Sequence, residues 1–285
     1  MTRNAGIMGY PLKHSISPIF QQAAFDHLGL DVRYCAWELP PGEVAGMVQR
    51  LRQPEYLGAN VTVPYKETLI SMVDALADSA RLIGAVNTVV NRAGKLEGHN
   101  TDAGGFLHAL REDGAFEPEG KVALVLGAGG AARAICFALA EAGAAAVYIT
   151  NRTPERAQTL VAVLGKQSAT RIATLPWSGA DLAKRVKECH LIVNCTTMGM
   201  RHSYAEGQSP LPAGLIPKGA LVFDVIYNPI ETPFLKEAAE AGARTLGGLS
   251  MLIYQGAASF ELWTGQKAPV SVMFEAGARA MQAQG

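Results

Sequence analysis

The stretch from Lys121 to Gly143, KVALVLGAGGAARAICFALAEAG, limits the fold more than any other part of the chain. Val122 to Leu126 is apolar and long enough for one buried strand. Gly127-Ala128-Gly129-Gly130-Ala131-Ala132 follows without a spacer, and Ala131 to Ala142 then reads as a helix of small and apolar residues. Strand, glycine turn and helix form the setting in which a glycine pattern becomes a dinucleotide fingerprint. Gly127 permits the tight turn, Gly129 lets backbone N–H groups approach a pyrophosphate, and Ala132 takes the third small position, where helix and strand pack closely. The helix N-terminus adds unpaired N–H groups and partial positive charge.

The next strand, Ala145 to Thr150, says which dinucleotide. In the NAD form of this unit an acidic residue near the strand end binds the ribose 2′-OH. Here Asn151 and Arg152 stand in that place, with Arg156 one turn further on. A guanidinium suits a phosphate dianion by charge and by its fork of donors. Thr153 is placed to cap the following helix, with Pro154 at the first helical position. The cofactor expected is NADP rather than NAD.

A chain of 285 residues, 49% hydrophobic and 18% charged, can bury two ordinary cores. Formal net charge is +0, so nothing favours a nucleic-acid or anionic-membrane surface. Cys35, Cys136, Cys189 and Cys195 form no CxxC pair and read as buried thiols of a reducing compartment. The histidines lack ligand spacing, so no metal is indicated. The N-terminus has no signal-peptide core, and no apolar run is long enough to span a bilayer. A soluble, cytoplasmic protein is expected.

Taken in order, Ala5–Gly9, Val32–Leu39 and Leu57–Val63 read as strands, and Pro18–Leu28 and the region around Val44–Leu51 as helices. Ser17 and Pro18 read as cap and first helical position. Lys66 to about Val73 and Ala75–Ile83 are expected to be helical. Ala85–Asn91 and Lys95–His99 flank an Ala93-Gly94 turn, a hairpin signal. Gly104 onward begins a helix. Later strands are expected at Ile172–Leu175, Leu191–Asn194, Leu221–Asp224 and Arg244–Leu246, and final helices at Ser250–Leu262 and Ser271–Met281. This alternation predicts an α/β protein with mostly parallel sheets. Two domains are expected: residues 1–105 with about 249–285 for substrate, and a doubly wound Rossmann domain over 106–248. The last two helices return to the first domain.

Three polar clusters in the first domain have no simple core explanation. Ser15 and Ser17 lie beside a helix N-terminus and suit a carboxylate. Asn60 and Thr62 share one face of a strand end. Lys66 would open a helix, where the macrodipole disfavours a cation, so its placement suggests use. Asn100-Thr101-Asp102 ends another strand, and Asp102 could pair with Lys66 or cap the next helix.

Nine patches fall in one order: HSISP at 14–18, NVTVPYK at 60–66, GAVNT at 84–88, NTD at 100–102, GAGGAAR at 127–133, NRT at 151–153, NCTTMGM at 194–200, DVIYNPIETPFL at 224–235 and GGLSMLIYQGA at 247–257. Over nearly its whole length the chain resembles the shikimate dehydrogenase family. The resemblance implies NADP-dependent, reversible conversion of 3-dehydroshikimate to shikimate, in the pathway to aromatic amino acids. Ser15 and Ser17, helped by Tyr227, would bind the substrate carboxylate. Thr62, Lys66, Asn87, Asp102 and Gln255 would hold the ring hydroxyls, with Lys66 and Asp102 catalytic. Gly127 to Ala131 would bind pyrophosphate, and Asn151, Arg152, Thr153 and Arg156 the adenosine end. Thr196, Val225, Gly248 and Met251 would lie along the nicotinamide, with Asp78 near the cofactor. Ser250 replaces the glycine more frequent in the family, which alters the nicotinamide end if close backbone approach is needed there. Residues 200–210 read as a mobile polar loop over the cofactor. The nicotinamide takes the hydride, so the protein needs orientation and one proton carrier, and Lys66 is the candidate.

Other readings stay open on sequence. A quinate or mixed quinate/shikimate dehydrogenase would differ in a few side chains near Ser15, Thr62 and Gln255. A catalytically silent NADP-sensing regulator would need neither Lys66 nor Asp102. A folate-type dehydrogenase of similar architecture fits the paired serines and the NTD patch less well. A homodimer is left open by the resemblance.

Overall fold

A computed structural model describes residues 2–13, 15–165 and 168–284. His14 of the HSISP patch lies outside the described residues. The chain forms two compact units, one running to Gly105 and resuming at Ile253, the other Phe106–Leu252.

The first unit begins β1 (Arg3–Gly9), α1 (Ser17–His27), β2 (Val32–Glu38), α2 (Val44–Arg50) and β3 (Gly58–Val61). It continues with β4 (Ala75–Leu76), α3 (Asp78–Ile83), β5 (Thr88–Arg92), β6 (Lys95–His99) and the start of α4 (Asp102–Glu112). The sheet order is β2-β1-β3-β5-β6-β4. β1 runs parallel to β2 and β3, whereas β5 is antiparallel to both β3 and β6. The sheet is therefore mixed. The reversal comes from the β5–β6 hairpin, which turns on Ala93 at φ 52° and Gly94 at φ 89°. Met8, Met47, Leu51, Leu69, Val89 and Leu96 fill one core of this unit.

One expected helix is absent here, and the one expected over Ala75–Ile83 begins only at Asp78. Only a 3₁₀ turn, Thr68–Ser71, follows Lys66, and the Lys66 carbonyl accepts from Val86 N–H at 2.7 Å, so it is not committed to a helix. Ala75–Leu76 pairs with Glu97–Gly98 as an edge strand instead, and Asp74 fixes that edge by accepting from Leu96 N–H.

The second unit continues with β7 (Val122–Leu126), α5 (Gly130–Glu141), β8 (Ala146–Thr150), α6 (Pro154–Leu164), β9 (Arg171–Leu175) and α7 (Ala180–Val186). Then come β10 (Leu191–Asn194), β11 (Leu221–Asp224), α8 (Pro233–Glu240) and β12 (Arg244–Leu246). α9 (Leu249–Thr264) and α10 (Val270–Gln284) end the chain. The order β12-β11-β10-β7-β8-β9 is parallel throughout. Strand order reverses between β7 and β10, the switch point outside whose carboxyl ends open α/β sheets bind ligands. In the first unit, α10 packs on α1, and the Trp263 indole N–H fastens α9 to the Val89 carbonyl at 2.9 Å. No helix among the described residues is long and apolar enough to cross a membrane.

Candidate active site

In the first unit the sheet brings the polar patches to one end. β1 and β3 finish side by side, and Thr88, the first residue of β5, stands opposite Asn60 and His99. The turns holding Ser15 to Ser17, Thr62 to Lys66, Asn87 and Asn100 to Asp102 therefore all leave the sheet at this edge.

Lys66 and Asp102 meet there. The ammonium Nζ lies 2.6 Å from Asp102 Oδ2, with side chains 15% and 5% exposed. A buried pair of this kind needs its remaining valences satisfied. Asp102 Oδ1 accepts from Asn87 Nδ2 at 2.9 Å, and the same nitrogen reaches Thr101 Oγ1 at 2.8 Å and Gln255 Oε1 at 3.2 Å. Gly105 permits the approach of Gln255: a Cβ on it would lie 2.7 Å from the Gln255 Cβ and backbone nitrogen. Asp102 is the first residue of α4, where its charge faces the positive end of the helix. It is not the cap: the Asn100 side chain accepts from the N–H groups of Asp102 and Ala103. Lys66 owes its place to this carboxylate and to its backbone bond to Val86, not to a helix start.

The other substrate-side candidates take less direct places. Ser17 is buried as the first residue of α1, and Ile16 is the cap residue; Ser15 Oγ accepts from Ser17 N–H at 3.3 Å. Ser17 is thus not the expected cap. Thr62 is half-buried just past β3, its N–H donating to Met8 O. Asn60 turns into a buried cluster with Tyr34, Thr88 and Ser259. Asp78 opens α3 at the surface, bonded to Arg81 at 2.9 Å, and belongs to the other compact unit from the glycine turn. Tyr227 belongs to the second unit, as do all the remaining cofactor-side candidates.

In that unit Gly127 has φ +111°, and a Cβ on it would sit 3.1 Å from the Cys195 carbonyl. The glycine therefore lets the turn after β7 close against Cys195 and Thr196. Gly129 is the N-cap of α5, with no side-chain cap bond and open space where a Cβ would be. That leaves room for phosphate oxygens at the N–H groups of Gly130 and Ala131, with Ala128 buried behind. After β8, Asn151 Nδ2 donates to Thr153 O at 2.9 Å. Thr153 is the N-cap of α6 but makes no side-chain cap bond, contrary to expectation. Arg152 lies 4.8 Å over the Tyr204 ring, so the 200–210 loop reaches this segment. Arg156 follows in the first turn of α6.

Thr196 and Val225 are held by residues that sequence reasoning missed. Asn194 Oδ1 accepts from both N–H and O–H of Thr196, and Asn194 O accepts from Val225 N–H. Asn194 Nδ2 donates to Asp224, which also accepts from Ile226 N–H and from Thr232 Oγ1 at 2.7 Å. Burial pushes the Asp224 carboxyl up to about 7, against these three donors. The signal was present: Asn194 and Asp224 are polar residues ending two apolar strands, and they stand opposite each other in the β10–β11 register. Gly248 touches the Val225 backbone so closely that a Cβ would come within 2.2 Å of Val225 O. Met251 is buried in the first turn of α9, and Ser250 beside it is half-buried.

A parallel sheet with a glycine turn at its switch point, in one chain with a buried lysine–carboxylate pair among amides, puts this protein among the nucleotide-dependent dehydrogenases. Comparison with known proteins narrows the class. Residues 7–89 match the shikimate dehydrogenase substrate binding domain, 112–202 the shikimate / quinate 5-dehydrogenase family and 248–276 the shikimate 5'-dehydrogenase C-terminal domain. The shikimate dehydrogenase (NADP(+)) of Moorella thermoacetica is 45% identical over 94% of this chain and 90% of its own. That of Methanopyrus kandleri is 43% identical over 96% and 94%. The crystal structure of shikimate 5-dehydrogenase from Thermus thermophilus in complex with NADP(H) and shikimate is 42% identical, covers 98% of this chain and 100% of its own, and superposes with a TM-score of 0.86. The chain belongs to the shikimate dehydrogenase family.

Proposed function

We infer that this protein catalyses the NADP-dependent, reversible reduction of 3-dehydroshikimate to shikimate. The observation that carries this reading is the buried contact of Lys66 Nζ with Asp102 Oδ2, backed by Asn87. When bound, the nicotinamide supplies or takes the hydride. Lys66 then gives a proton to the forming alkoxide oxygen in reduction and recovers it in oxidation. Asp102 keeps the ammonium aimed at that oxygen, since a proton carrier must sit within hydrogen-bond reach of it. Asn87, Gln255 and Thr62 hold the ring hydroxyls. Ser15, Ser17 and Tyr227 bind the carboxylate, which keeps the reacting carbon in register.

On the cofactor side, the open Gly129 cradle and the uncapped N–H groups of α5 support pyrophosphate binding by Gly127 to Ala131. Arg152 and Arg156, with Asn151 and Thr153, take the 2′-phosphate end, since Asn151 and Arg152 stand directly after β8 where a ribose-binding carboxylate would be. Thr196, Val225, Gly248 and Met251 form the wall for the nicotinamide. Asp78 is carried as a cofactor neighbour by the resemblance alone. The substrate domain comprises residues 1–105 and about 249–285, and the cofactor domain residues 106–248. No charge pattern favours nucleic acid as a partner.

NADPH absorbance after addition of shikimate, then quinate, with NAD as cofactor control, tests the reading. Turnover on shikimate with NADP, exceeding that on quinate and that with NAD, is expected. NADPH binding without turnover on shikimate would favour a silent sensor and refute it.

A further inference from the structure

Behind Asn87 the first unit buries a set of polar side chains that the proton transfer described above does not use. Tyr34, Asn60, Thr88, Thr101 and Ser259 are each at most 6% exposed, and Thr88 and Ser259 are fully buried. Tyr34 Oη donates to Asn60 Oδ1 at 2.7 Å. Asn60 Nδ2 donates to Thr88 Oγ1 at 3.2 Å and to Ser259 Oγ at 2.9 Å. Thr88 Oγ1 donates to Asn87 Oδ1 at 3.0 Å. Asn87 Nδ2 donates to Asp102 Oδ1 at 2.9 Å.

Both amide orientations follow from groups with only one role. The Thr101 backbone N–H can only donate, and it lies 2.7 Å from Asn87 Oδ1. The Asn87 carbonyl can only accept, and it lies 3.4 Å from Asn60 Nδ2. With these two amides fixed, every donor along the series points the same way, from Tyr34 towards Asp102. Hydrogen bonds in such a series polarise one another, and the effect gathers on the last acceptor. Here the last acceptor is the carboxylate that holds Lys66. Ser259 ties the series to α9: Thr88 gives its one proton to Asn87, so Ser259 is the donor of the 2.8 Å bond to Thr88 Oγ1, and its proton also lies within reach of Gln255 O at 2.9 Å, with Thr101 Oγ1 at 3.2 Å.

We propose that Tyr34, Asn60, Thr88 and Ser259 are positioning residues, a one-way series of donors that fixes the Asn87 amide and through it the carboxylate of Asp102. This rests on the reading of Lys66, Asp102 and Asn87 as the reacting site. A core of this size could be filled by apolar side chains at less desolvation cost, and a buried polar set is worth its place only when fully satisfied. Its function is to leave Asp102 Oδ1 occupied, so that Oδ2 alone meets the ammonium.

Thr88→Val keeps the branched shape and removes the hydroxyl, while Thr88→Ser keeps the hydroxyl and removes the methyl. The expected result for Thr88→Val is a turnover lower by about tenfold, the scale of one buried donor lost. Its shikimate dissociation constant, read by calorimetry on the full chain, stays within about twofold, and Thr88→Ser is near wild type in both, since only the hydroxyl matters. Ser259→Ala, which removes one hydroxyl from a long helix, gives a second reading with the same loss in turnover at unchanged shikimate affinity. Equal behaviour of Thr88→Val and Thr88→Ser, or losses confined to shikimate affinity, would overturn the proposal. Asn87→Ala separates the two levels. If it loses turnover while the Thr88 and Ser259 variants keep it, only the positioning role falls. If Asn87→Ala itself turns over like wild type, the reading of the site falls, and this proposal with it.

Discussion

Asp102→Asn tests how the site holds its charge. The side chains have nearly the same shape, so the change acts through charge and donor pattern. Asp102 presents two acceptors to two donors, Oδ2 to Lys66 Nζ at 2.6 Å and Oδ1 to Asn87 Nδ2 at 2.9 Å. An amide has one acceptor. Whichever way it turns, its NH₂ faces an ammonium or another NH₂, and with residue 102 only 3% exposed water cannot take the vacant place. Asn87 does not turn over easily, because its Oδ1 is held by Thr101 N–H and Thr88. A hydrogen bond to a charged group is worth about 1.5–3 kcal/mol, and stranding one partner of a buried pair costs about 3–5 kcal/mol. Urea unfolding should therefore show a loss of about 3–5 kcal/mol. NADPH formation on shikimate should fall by about 10² or more, because Lys66 loses the group that aims it. A variant with wild-type unfolding and turnover within about threefold would refute the reasoning, since neither loss would then exist.

Three further outcomes follow from the second unit. Arg152→Ser should weaken NADPH binding by about tenfold while leaving NADH binding unchanged, because only the 2′-phosphate loses a charged partner; fluorescence titration of both nucleotides checks it. Gly248→Ala should abolish NADPH binding or fold poorly, since its Cβ would meet the Val225 backbone at 2.2 Å; Gly129→Ala, with open space at its Cβ, should fold normally, and thermal unfolding compares the two. Asp224 sets a pH effect. Its folded carboxyl lies at about 7, above the usual carboxylate value, so its contribution to stability is full below about pH 4 and is lost as pH rises through 7. Asn in its place keeps an acceptor for Asn194 and Ile226 and can donate to Thr232. Urea unfolding at pH 5 and pH 8 should show Asp224→Asn gaining on wild type at the higher pH, by about 2–3 kcal/mol; a constant difference would contradict it.

How much was legible in the sequence differs between the two units. In the second, β7, β10 and β11 fall on the expected residues because each is a short apolar run bounded by turn or polar residues, and β12, Arg-Thr-Leu, also falls where expected. α7 opens on Gly179 with no cap signal, whereas α8 carries one that the local reading passes over: Thr232 accepts from Leu235 N–H and Pro233 takes the first helical position. In the first unit the local reading failed where long-range bonds decide. Lys66 was expected at a helix start, yet its carbonyl is taken by Val86, a residue whose proximity no local pattern reveals. Ala75 and Leu76 have helical neighbours in sequence, but the exposed edge of β6 recruits them. The pairing of Lys66 with Asp102 was readable as a possibility from residue types alone, and the resemblance made it specific. Thr88 and Thr101 stood beside Asn87 and Asp102 in the same patches, and Ser259 one turn after Gln255. Their roles depend on which hydroxyl faces which amide, and that is fixed only by the antiparallel register of β3 and β5.

In the proposed reaction Lys66 is the group that moves the proton. Steady-state turnover of Lys66→Ala on shikimate and NADP, measured beside its shikimate dissociation constant, tests this most directly. Turnover lower by about 10² or more, with affinity much less affected, is the predicted result. Near-wild-type turnover in that variant would contradict it.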